Sequence, residues 1–409
     1  MSSSPEELYE ERKERIDRAS SLKEPDRVPV LGSFGFFSAR HCGLTHHEFM
    51  FDYEKASEAV IKTSVDFGFD TAGGISRLGA LPFTLAFLRE YEGLAPVWVN
   101  GPVHDILGVR YARFPGRELS EDSPFQFIGE EYMKVEEYDE LIEDPQRFLV
   151  EKLLPRSCRS LEDPGSVKAM VALFKWGNES RRSAEANANL SSELRRLGFP
   201  SFSGGFSYAP LDFIGDYLRD VKNVLLDTFR VPDKVKQAAV AVGALILEMN
   251  RVAAESAPEG TQAFIPLHLN EYFSPKHYGE FYWPTLKHVV LDLIDLGFIP
   301  YIFYEGYHDA HLETILELPK GKTISKFEKT DLRKAKEVIG DHSGIVGGPP
   351  SSLFIGGTPA KVEEYVRDLL EDVKSGGGFM LSPAVSIPGN ARPENVRALL
   401  RAVEKHGVY

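Results

Sequence analysis

The feature that most constrains this chain is a regular alternation of short apolar runs and helical patterns through its second half. Five runs, each bounded by turn residues, precede segments with helical periodicity: AFIPLHL, FIPYIFY, KTISKFE, SGIVGG and FMLSPAV. Strands that alternate with helices indicate parallel pairing through helical crossovers. Asp331, Thr358 and Pro359 stand where two of these helices would begin. The second half therefore predicts a parallel α/β fold.

The first half repeats this rhythm less regularly. Its candidate strands are RVPVLGSF, FDTAGG, KAMVALF and PSFSGGF, and the segment DYEKASEAVIKTSVDFG has helical periodicity. About eight strands in all would close into a (β/α)8 barrel of the triosephosphate-isomerase type, which we predict as the fold class. A doubly wound open sheet is the alternative.

The domain organisation predicted from the sequence is a single barrel domain over residues 1–409, because no low-complexity linker divides the chain. The N-terminal segment SSSPEELYEERKERIDRAS is a charged helical pattern and is predicted as an extension. The region from about His104 to Arg156 does not fit the repeat and is rich in Pro, Asp, Glu and aromatic residues. We interpret it as an insertion that serves as a lid or as an oligomer contact.

Composition narrows the class of partner and the compartment. The chain has 47 basic and 61 acidic residues, a net charge of -14, which argues against nucleic-acid binding and favours a small substrate. The two cysteines, Cys42 and Cys158, lack the spacing of a thiolate metal site and indicate a reducing compartment. No signal-peptide pattern or membrane-length apolar run is evident, so we expect a cytoplasmic protein without a membrane partner.

Three polar residues end successive predicted strands, where the active site of such a barrel is built. His268 ends AFIPL, Glu305 ends YIFY and Glu328 ends KTISKF. One imidazole and two carboxylates with an open position describe a catalytic site for zinc or a similar divalent metal. The alternatives are that the glutamates pair with nearby Lys322, Lys326 or Arg333 or act as acid and base without metal, and that His268 is a buried structural histidine.

Other residues near strand ends are candidates for substrate binding or proton transfer. Aromatic side chains there could stack on a flat apolar substrate, although core packing would explain each of them equally well. The candidates for substrate binding are Phe36, Phe37, His41, Tyr208, Asn270 and Tyr272. The candidates for orienting substrate or donating a proton are His308, Tyr208 and Asp212. No GxGxxG, GxxxxGK[ST] or GxSxG pattern points to a dinucleotide, ATP or a serine nucleophile.

Several segments resemble a known superfamily. The closing segment GGGFMLSPAVSIPGNARPENVRALLRAVEKHG resembles that of the uroporphyrinogen decarboxylase superfamily. The segments APLDFIGDYLRD, FRVPDK, FYWPTLK, FYEG and GTPAKVEEY are similar to its methyltransferase-like branch. The true decarboxylases carry an arginine-rich N-terminal segment that binds porphyrin propionates, whereas GSFGFFSARHCG here offers only Arg40. This resemblance argues against a porphyrin substrate.

The resemblance implies a function. Members of the methyltransferase-like branch use zinc at the barrel mouth and exchange a methyl group with a corrinoid on a separate protein. Many hold zinc through a His-x-Cys pair and a later cysteine, but here Glu305 stands at the strand end that matches the His-x-Cys pair, and Glu328 ends the next strand. Harder carboxylate ligands suit an oxygen substrate. The chain thus resembles methyltransferases of anaerobic O-demethylase systems, which implies transfer from an aryl methyl ether to the cob(I)alamin of a corrinoid protein.

Two other functions remain as alternatives. One is a metal-free lyase or decarboxylase of the same superfamily acting on a small non-porphyrin substrate. The other is a non-catalytic binding or assembly subunit, although polar residues at so many strand ends argue against it. The methyl donor and acceptor, the direction of transfer, the third metal ligand and the oligomeric state stay open, and a homodimer is compatible with the sequence.

Overall fold

A computed structural model describes residues 4–75, 77–88 and 98–409. The chain divides into two compact units, each composed of more than one segment. Unit 1 comprises Met1–Ser76, Glu185–Gly204 and Ile299–Tyr409, and unit 2 comprises Arg77–Ala184 and Gly205–Phe298. The single domain over residues 1–409 stays a prediction.

The strands are short. In chain order they are β1 (Leu78–Gly79), β2 (Trp98–Val99), β3 (Ala112–Arg113), β4 (Gln126–Phe127), β5 (Gly205–Phe206), β6 (Gln262–Leu267), β7 (Ile299–Tyr304), β8 (Ile324–Phe327), β9 (Gly344–Gly347) and β10 (Phe379–Leu381).

The helices are more extensive. They are α1 (Pro5–Ser20), α2 (Phe37–His41), α3 (His46–Phe51), α4 (Tyr53–Phe67), α5 (Leu81–Ala86), α6 (Gly101–Leu107), α7 (Tyr138–Glu143), α8 (Pro145–Phe148), α9 (Leu154–Ser157), α10 (Val167–Arg196), α11 (Pro210–Phe213), α12 (Val221–Arg230), α13 (Pro232–Ala254), α14 (Pro275–His277), α15 (Trp283–Asp295), α16 (Leu332–Ile339), α17 (Ser351–Gly356), α18 (Pro359–Val373) and α19 (Pro393–His406). The π-helical segments are Leu149–Leu153, Ile214–Arg219 and Tyr278–Tyr282, and the 3₁₀ turns are Val135–Glu137, Arg159–Leu161, Asn270–Tyr272 and Leu312–Glu317.

Unit 1 contains parallel strands in the order β10, β9, β8, β7. Extended segments from the first half continue this order, because Val30 forms a parallel bridge with Leu381 and the Asp70 amide donates to the Val30 carbonyl at 2.9 Å. The Ala72 amide in turn donates to the carbonyl of Pro200 at 2.8 Å. The predicted runs RVPVLGSF and FDTAGG therefore lie side by side, and the bond from the Asp70 amide to the Val30 carbonyl joins them.

Unit 2 contains the parallel pair β5 and β6, with Phe206 in register with Phe264. It also contains two antiparallel pairs, β1 with β2 and β3 with β4. The pair β3 and β4 falls within the predicted insertion from His104 to Arg156, whose remaining elements are short helices and turns. This region departs from the strand and helix repeat as predicted, and its role as a lid or oligomer contact stays a prediction.

One predicted strand is wrong. The run KAMVALF, Lys168 to Phe174, lies in the long helix α10. Ala169, Ala172 and Trp176 are buried at spacings of three and four residues, whereas Met170 and Phe174 are exposed. A short apolar run does not distinguish a strand from one face of a helix, and here the helical period decides.

The helix starts in unit 1 follow their capping residues. Asp331 accepts a hydrogen bond from the Arg333 amide at the start of α16, and Thr358 accepts one from the Lys361 amide at the start of α18. Helices α18 and α19 pack against each other and bury their apolar faces. Both predicted helix starts are confirmed.

The longest apolar helix of unit 2 is α13, Pro232–Ala254. Its length and hydropathy would suffice to cross a membrane. Its face with Val235, Val242, Leu245 and Ile246 is buried within the unit, and α13 packs on α7, α11 and α15. This packing accounts for the apolar composition of α13 as that of a core helix.

Candidate functional site

A hydrogen-bonded group of five side chains lies in unit 2 and is called here the His268 cluster; it comprises Tyr208, Asp212, Asp216, His268 and Tyr282. The Nδ1 atom of His268 lies 2.6 Å from Oδ2 of Asp216, and the Tyr208 hydroxyl donates to the same oxygen at 2.6 Å. Because an ionised carboxylate only accepts, Nδ1 of His268 is the protonated nitrogen. The imidazole is thus held in one orientation by a buried carboxylate.

The two carboxylates of this cluster come from consecutive helical segments. Asp212 belongs to α11, and Asp216 belongs to the π-helical segment Ile214–Arg219 that follows at once. A π-helix widens the turn and recurs at functional sites. Both side chains point inward, since Asp212 is fully buried and Asp216 is 2% exposed.

Asp212 holds the loop that carries His268. Its Oδ2 accepts from the His268 amide at 3.1 Å and from the Tyr282 hydroxyl at 2.6 Å, and its Oδ1 accepts from the Leu269 amide at 2.9 Å. Burial raises the pKa of the Asp212 carboxyl to about 7, and the neighbouring Asp216 carboxylate adds to that rise. The Asp212 side chain therefore organises the backbone just beyond β6.

The two phenols in the cluster act as hydrogen-bond donors. Burial raises the pKa of Tyr208 well above its ordinary value, and the Asp216 carboxylate contributes to the same shift. Burial likewise raises the pKa of Tyr282 far above the usual range, with Asp212 adding to it. Both hydroxyls consequently keep their protons across the physiological pH range.

The second ring nitrogen of His268 is Nε2, which carries the lone pair of the neutral imidazole when Nδ1 is protonated. The His268 side chain is 30% exposed, whereas that of Asp216 is 3% exposed. A histidine that donates Nδ1–H to a carboxylate is the usual arrangement for a metal ligand, and it also suits a general base. The geometry of His268 fits either role.

A second group of charged residues lies in unit 1 and is called here the Lys326 cluster; it comprises Glu305, Lys326 and Glu328. The Lys326 ammonium donates to the Val385 carbonyl at 2.7 Å and lies 4.8 Å from the ring centroid of Phe303. Burial lowers the pKa of Lys326 to about 8, although the charges of Glu305 and Glu328 act in the opposite direction. Glu328 also accepts from the Gly306 amide at 2.8 Å. A lysine near the two carboxylates agrees with the alternative that they interact with neighbouring basic side chains.

The predicted metal ligands divide between these clusters. His268 belongs to unit 2, and Glu305 and Glu328 belong to unit 1. Within residues 4–75, 77–88 and 98–409, no group of three or more His, Cys, Asp or Glu side chains is arranged to hold a metal ion. The ligand set His268, Glu305 and Glu328 stays a prediction.

His308, a predicted proton donor, lies in the interior of unit 1. Its side chain is fully buried, its ring centroid is 4.1 Å from that of Tyr304, and its amide donates to the hydroxyl of Thr330 at 2.9 Å. Burial lowers the pKa of His308 well below the ordinary value. The imidazole is therefore neutral, and its catalytic role stays a prediction.

The predicted substrate-binding residues fall in different surroundings. In unit 1, Phe36 stacks on His46, Phe37 packs on the ring of Phe67, and His41 lies 2.7 Å from Asp66. In unit 2, Asn270 is buried, Tyr272 is 56% exposed, and Tyr208 belongs to the His268 cluster. Tyr208 contacts Asp216 and His268 within that cluster, and the roles of the other residues stay predictions.

Two residues of these clusters, Asp216 and Tyr282, were not among the residues predicted from the sequence. Asp216 stands in APLDFIGDYLRD, four residues after Asp212, a spacing that places both on one side of a helix. That spacing was the available signal. No such signal pointed to Tyr282, because a tyrosine in a helical segment is most often a packing residue.

Comparisons with known proteins agree with this fold. A solved structure described as a methyltransferase from Methanosarcina mazei superposes with a TM-score of 0.62 at 16% identity, covering 96% of this chain and 98% of that one. No curated protein matches the sequence. The family model for uroporphyrinogen decarboxylase (URO-D) matches residues 196–406, more than half of the chain. The predicted (β/α)8 fold class and superfamily are thus confirmed, and the chain belongs to the uroporphyrinogen decarboxylase family.

Proposed function

We propose that this protein is a methyltransferase that moves a methyl group from an aryl methyl ether to the cob(I)alamin of a separate corrinoid protein. The similarity to the Methanosarcina mazei methyltransferase supports the reaction class. The observation that carries the proposal is the His268 cluster, in which Asp216 binds Nδ1 of His268 and holds the imidazole in the orientation that a metal ligand or a general base requires.

The reaction breaks the bond between the methyl carbon and the ether oxygen. The methyl group goes to cobalt, and the aromatic product leaves as a phenolate that then takes up a proton. In this proposal His268 acts at the ether oxygen, directly or as a metal ligand, and Tyr208 and Asp216 keep its ring in place. Asp212 holds the loop that carries His268.

Zinc or a similar divalent metal, held by His268, Glu305 and Glu328 as the sequence predicts, would supply Lewis acidity at the leaving oxygen. The oriented imidazole of His268 and the carboxylates of Glu305 and Glu328 are suitable donors for such a metal. The corrinoid would arrive on its own protein. A cytoplasmic, reducing location would agree with two cysteines that form no disulfide.

The experiment is to incubate the purified protein with cob(I)alamin and a panel of methoxylated aromatics and to follow the spectrum of methylcobalamin. The proposal expects methylation with at least one aryl methyl ether. It also expects a strong loss with His268→Ala, while the exposed control His288→Ala retains the rate. Failure with oxygen, nitrogen and sulfur methyl donors alike would contradict the proposal.

A metal-free lyase or decarboxylase acting on a small non-porphyrin substrate is the second candidate. The observation that favours it is Lys326, a buried lysine that interacts electrostatically with both Glu305 and Glu328. Its positive charge can offset theirs without a metal. In that case the His268 cluster would serve as an acid and base pair.

Elemental analysis of the purified protein separates the two candidates. The methyltransferase is expected to contain zinc in near-stoichiometric amount and to lose it in Glu305→Gln. The lyase is expected to contain none, and its Glu305→Gln variant is expected to keep both its fold and its affinity for ligands.

A further inference from the structure

Arg77 in unit 2 is a cation packed on an aromatic ring. Its guanidinium carbon lies 4.1 Å from the ring centroid of Trp98. Among the residues that the structure describes, no hydrogen bond or ion pair of the Arg77 side chain occurs, and burial lowers its pKa to about 10. A half-buried guanidinium without a carboxylate partner among these residues can pair with the anionic group of a ligand.

The antiparallel pair β1 and β2 places Arg77 on the same face as Trp98. Gly79 is in register with Trp98, so Arg77, two residues earlier, projects to the same side of the ribbon. Phe206 lies against this face, since a Cβ at Gly79 would be 3.5 Å from its ring and the centroids of Trp98 and Phe206 are 5.3 Å apart.

The same row of rings continues to the His268 cluster. The centroid of Phe206 lies 5.9 Å from that of Tyr208, and the centroid of Tyr208 lies 5.9 Å from that of His268. Arg77, Trp98, Phe206 and His268 are all partly exposed, whereas Tyr208 beneath them is buried. Unit 2 thus presents a cation at one end of an aromatic row and the oriented imidazole at the other.

We infer that Arg77 binds the carboxylate of an aromatic acid whose ring lies along Trp98 and Phe206, with its methoxy group toward His268. The substrates would then be methoxylated aromatic carboxylic acids, an inference that rests on the proposed function. An arginine pairs with a carboxylate through two parallel hydrogen bonds, and a ring gains from stacking on aromatic faces. The net charge of -14 repels anions, so their binding requires such a local cation.

The test measures binding by calorimetry without any corrinoid, using 4-methoxybenzoate and its neutral analogue 4-methoxybenzamide. The wild type is expected to bind the acid more tightly. Arg77→Met is expected to lower the affinity for the acid by about 10- to 100-fold and the affinity for the amide by less than about twofold. Only the acid loses a charge-assisted hydrogen-bonded pair. Arg77→Lys should retain part of the preference, and Trp98→Leu should weaken both ligands.

The matched control is Arg113→Met, which removes an exposed arginine elsewhere in unit 2 and should leave both affinities unchanged. Circular dichroism and thermal unfolding verify that each variant is folded. Equal affinity of the wild type for acid and amide, or equal loss of both in Arg77→Met, would overturn the inference.

The methylation assay keeps the two proposals apart. If the acid binds through Arg77 but no methoxylated compound methylates cob(I)alamin, the methyltransferase proposal fails and the Arg77 site stands. If neutral aryl methyl ethers are demethylated and the affinity for the acid is the same in the wild type and in Arg77→Met, the methyltransferase proposal stands and the carboxylate site fails.

Discussion

The His268 cluster of unit 2 and the Lys326 cluster of unit 1 bury charged groups in different ways. Around His268, each carboxylate accepts two or three short hydrogen bonds from named donors, and the imidazole is held by one of them. Around Lys326, the lysine donates to a backbone carbonyl. The negative charges of Glu305 and Glu328 raise the pKa of Lys326 through electrostatic attraction.

The two clusters thus serve different ends: the hydrogen bonds of the His268 cluster orient an imidazole, whereas Lys326 balances the charge of two carboxylates. A network of directed hydrogen bonds fixes the position of a reacting atom, which catalysis requires. A buried lysine near two carboxylates lowers their mutual repulsion. We therefore expect variants of the His268 cluster to lose structure or activity, and a variant of the Lys326 cluster to change mainly the dependence of stability on pH.

The largest expected effect is on stability. Asp212→Ala removes the acceptor for the His268 and Leu269 amides and for the Tyr282 hydroxyl, so three buried donors lose their partner. We expect the free energy of unfolding to fall by about 4 kcal/mol, measured by urea denaturation. Asp212→Asn, which keeps one acceptor oxygen, should lose less. Equal stability of Asp212→Ala and the wild type would contradict the structural role of this residue.

The next effect concerns pH. Lys326 has a pKa of about 8 in the folded protein and 10.5 in the reference state, so the unfolded chain binds its proton more strongly. Stability is therefore lost as the pH falls from 10.5 to 8, by up to about 3 kcal/mol, and stays lower beneath that window. Urea denaturation at pH 8 and pH 10 should show this rise in the wild type and a smaller one in Lys326→Met.

The control for this comparison is Lys322→Met, which removes an exposed lysine four residues earlier in the chain. Its stability should follow the wild type at both pH values. If Lys326→Met also follows the wild type, the Lys326 side chain does not experience the burial that the structure shows.

A third variant affects the orientation of His268. Asp216→Asn replaces the carboxylate that accepts from Nδ1 of His268 and from Tyr208 by an amide of the same shape. Loss of such a carboxylate partner typically lowers activity or metal affinity by about 10- to 100-fold, and we expect that loss in the methylation assay. Stability should change less than in Asp212→Ala. An unchanged methylation rate would show that the ring orientation does not limit the reaction.

The smallest effect is expected for Tyr208→Phe. The variant removes one of the two short hydrogen bonds to Asp216 and leaves the one from His268 in place. The free energy of unfolding should fall by about 1 kcal/mol, and the methylation rate should fall by less than in Asp216→Asn. Urea denaturation and the methylation assay provide both values. A larger loss of rate than in Asp216→Asn would assign Tyr208 a direct part in proton transfer.

Much of the fold was predictable because local patterns carried it. The five runs from Ala263 onward appear as β6 to β10, and Asp331 and Thr358 cap the helices that they were predicted to start. The run KAMVALF was the exception, because the helical periodicity of α10 becomes evident only over a window longer than seven residues. The tail that resembles uroporphyrinogen decarboxylases lies within the family match.

The candidate site was less predictable. Tyr208, Asp212 and His268 were identified from their places near strand ends, and the structure joins Tyr208 and the His268 ring to Asp216 and the His268 amide to Asp212. Asp216 was not identified, because its inward orientation depends on the π-helical segment Ile214–Arg219. Arg77 was not identified either, since a lone arginine in a sequence shows neither its burial nor the ring beneath it.

The amino-acid sequence by itself determined the parallel α/β class, the family and the residue types near the strand ends, because periodicity, caps and motifs are local properties of the chain. The tertiary structure alone decided which carboxylate holds His268, how deeply Lys326 is buried and which ring lies under Arg77. These features depend on side chains that are 52 residues apart for Asp216 and His268 and 21 residues apart for Arg77 and Trp98. Burial and hydrogen-bond direction arise only when such segments pack together.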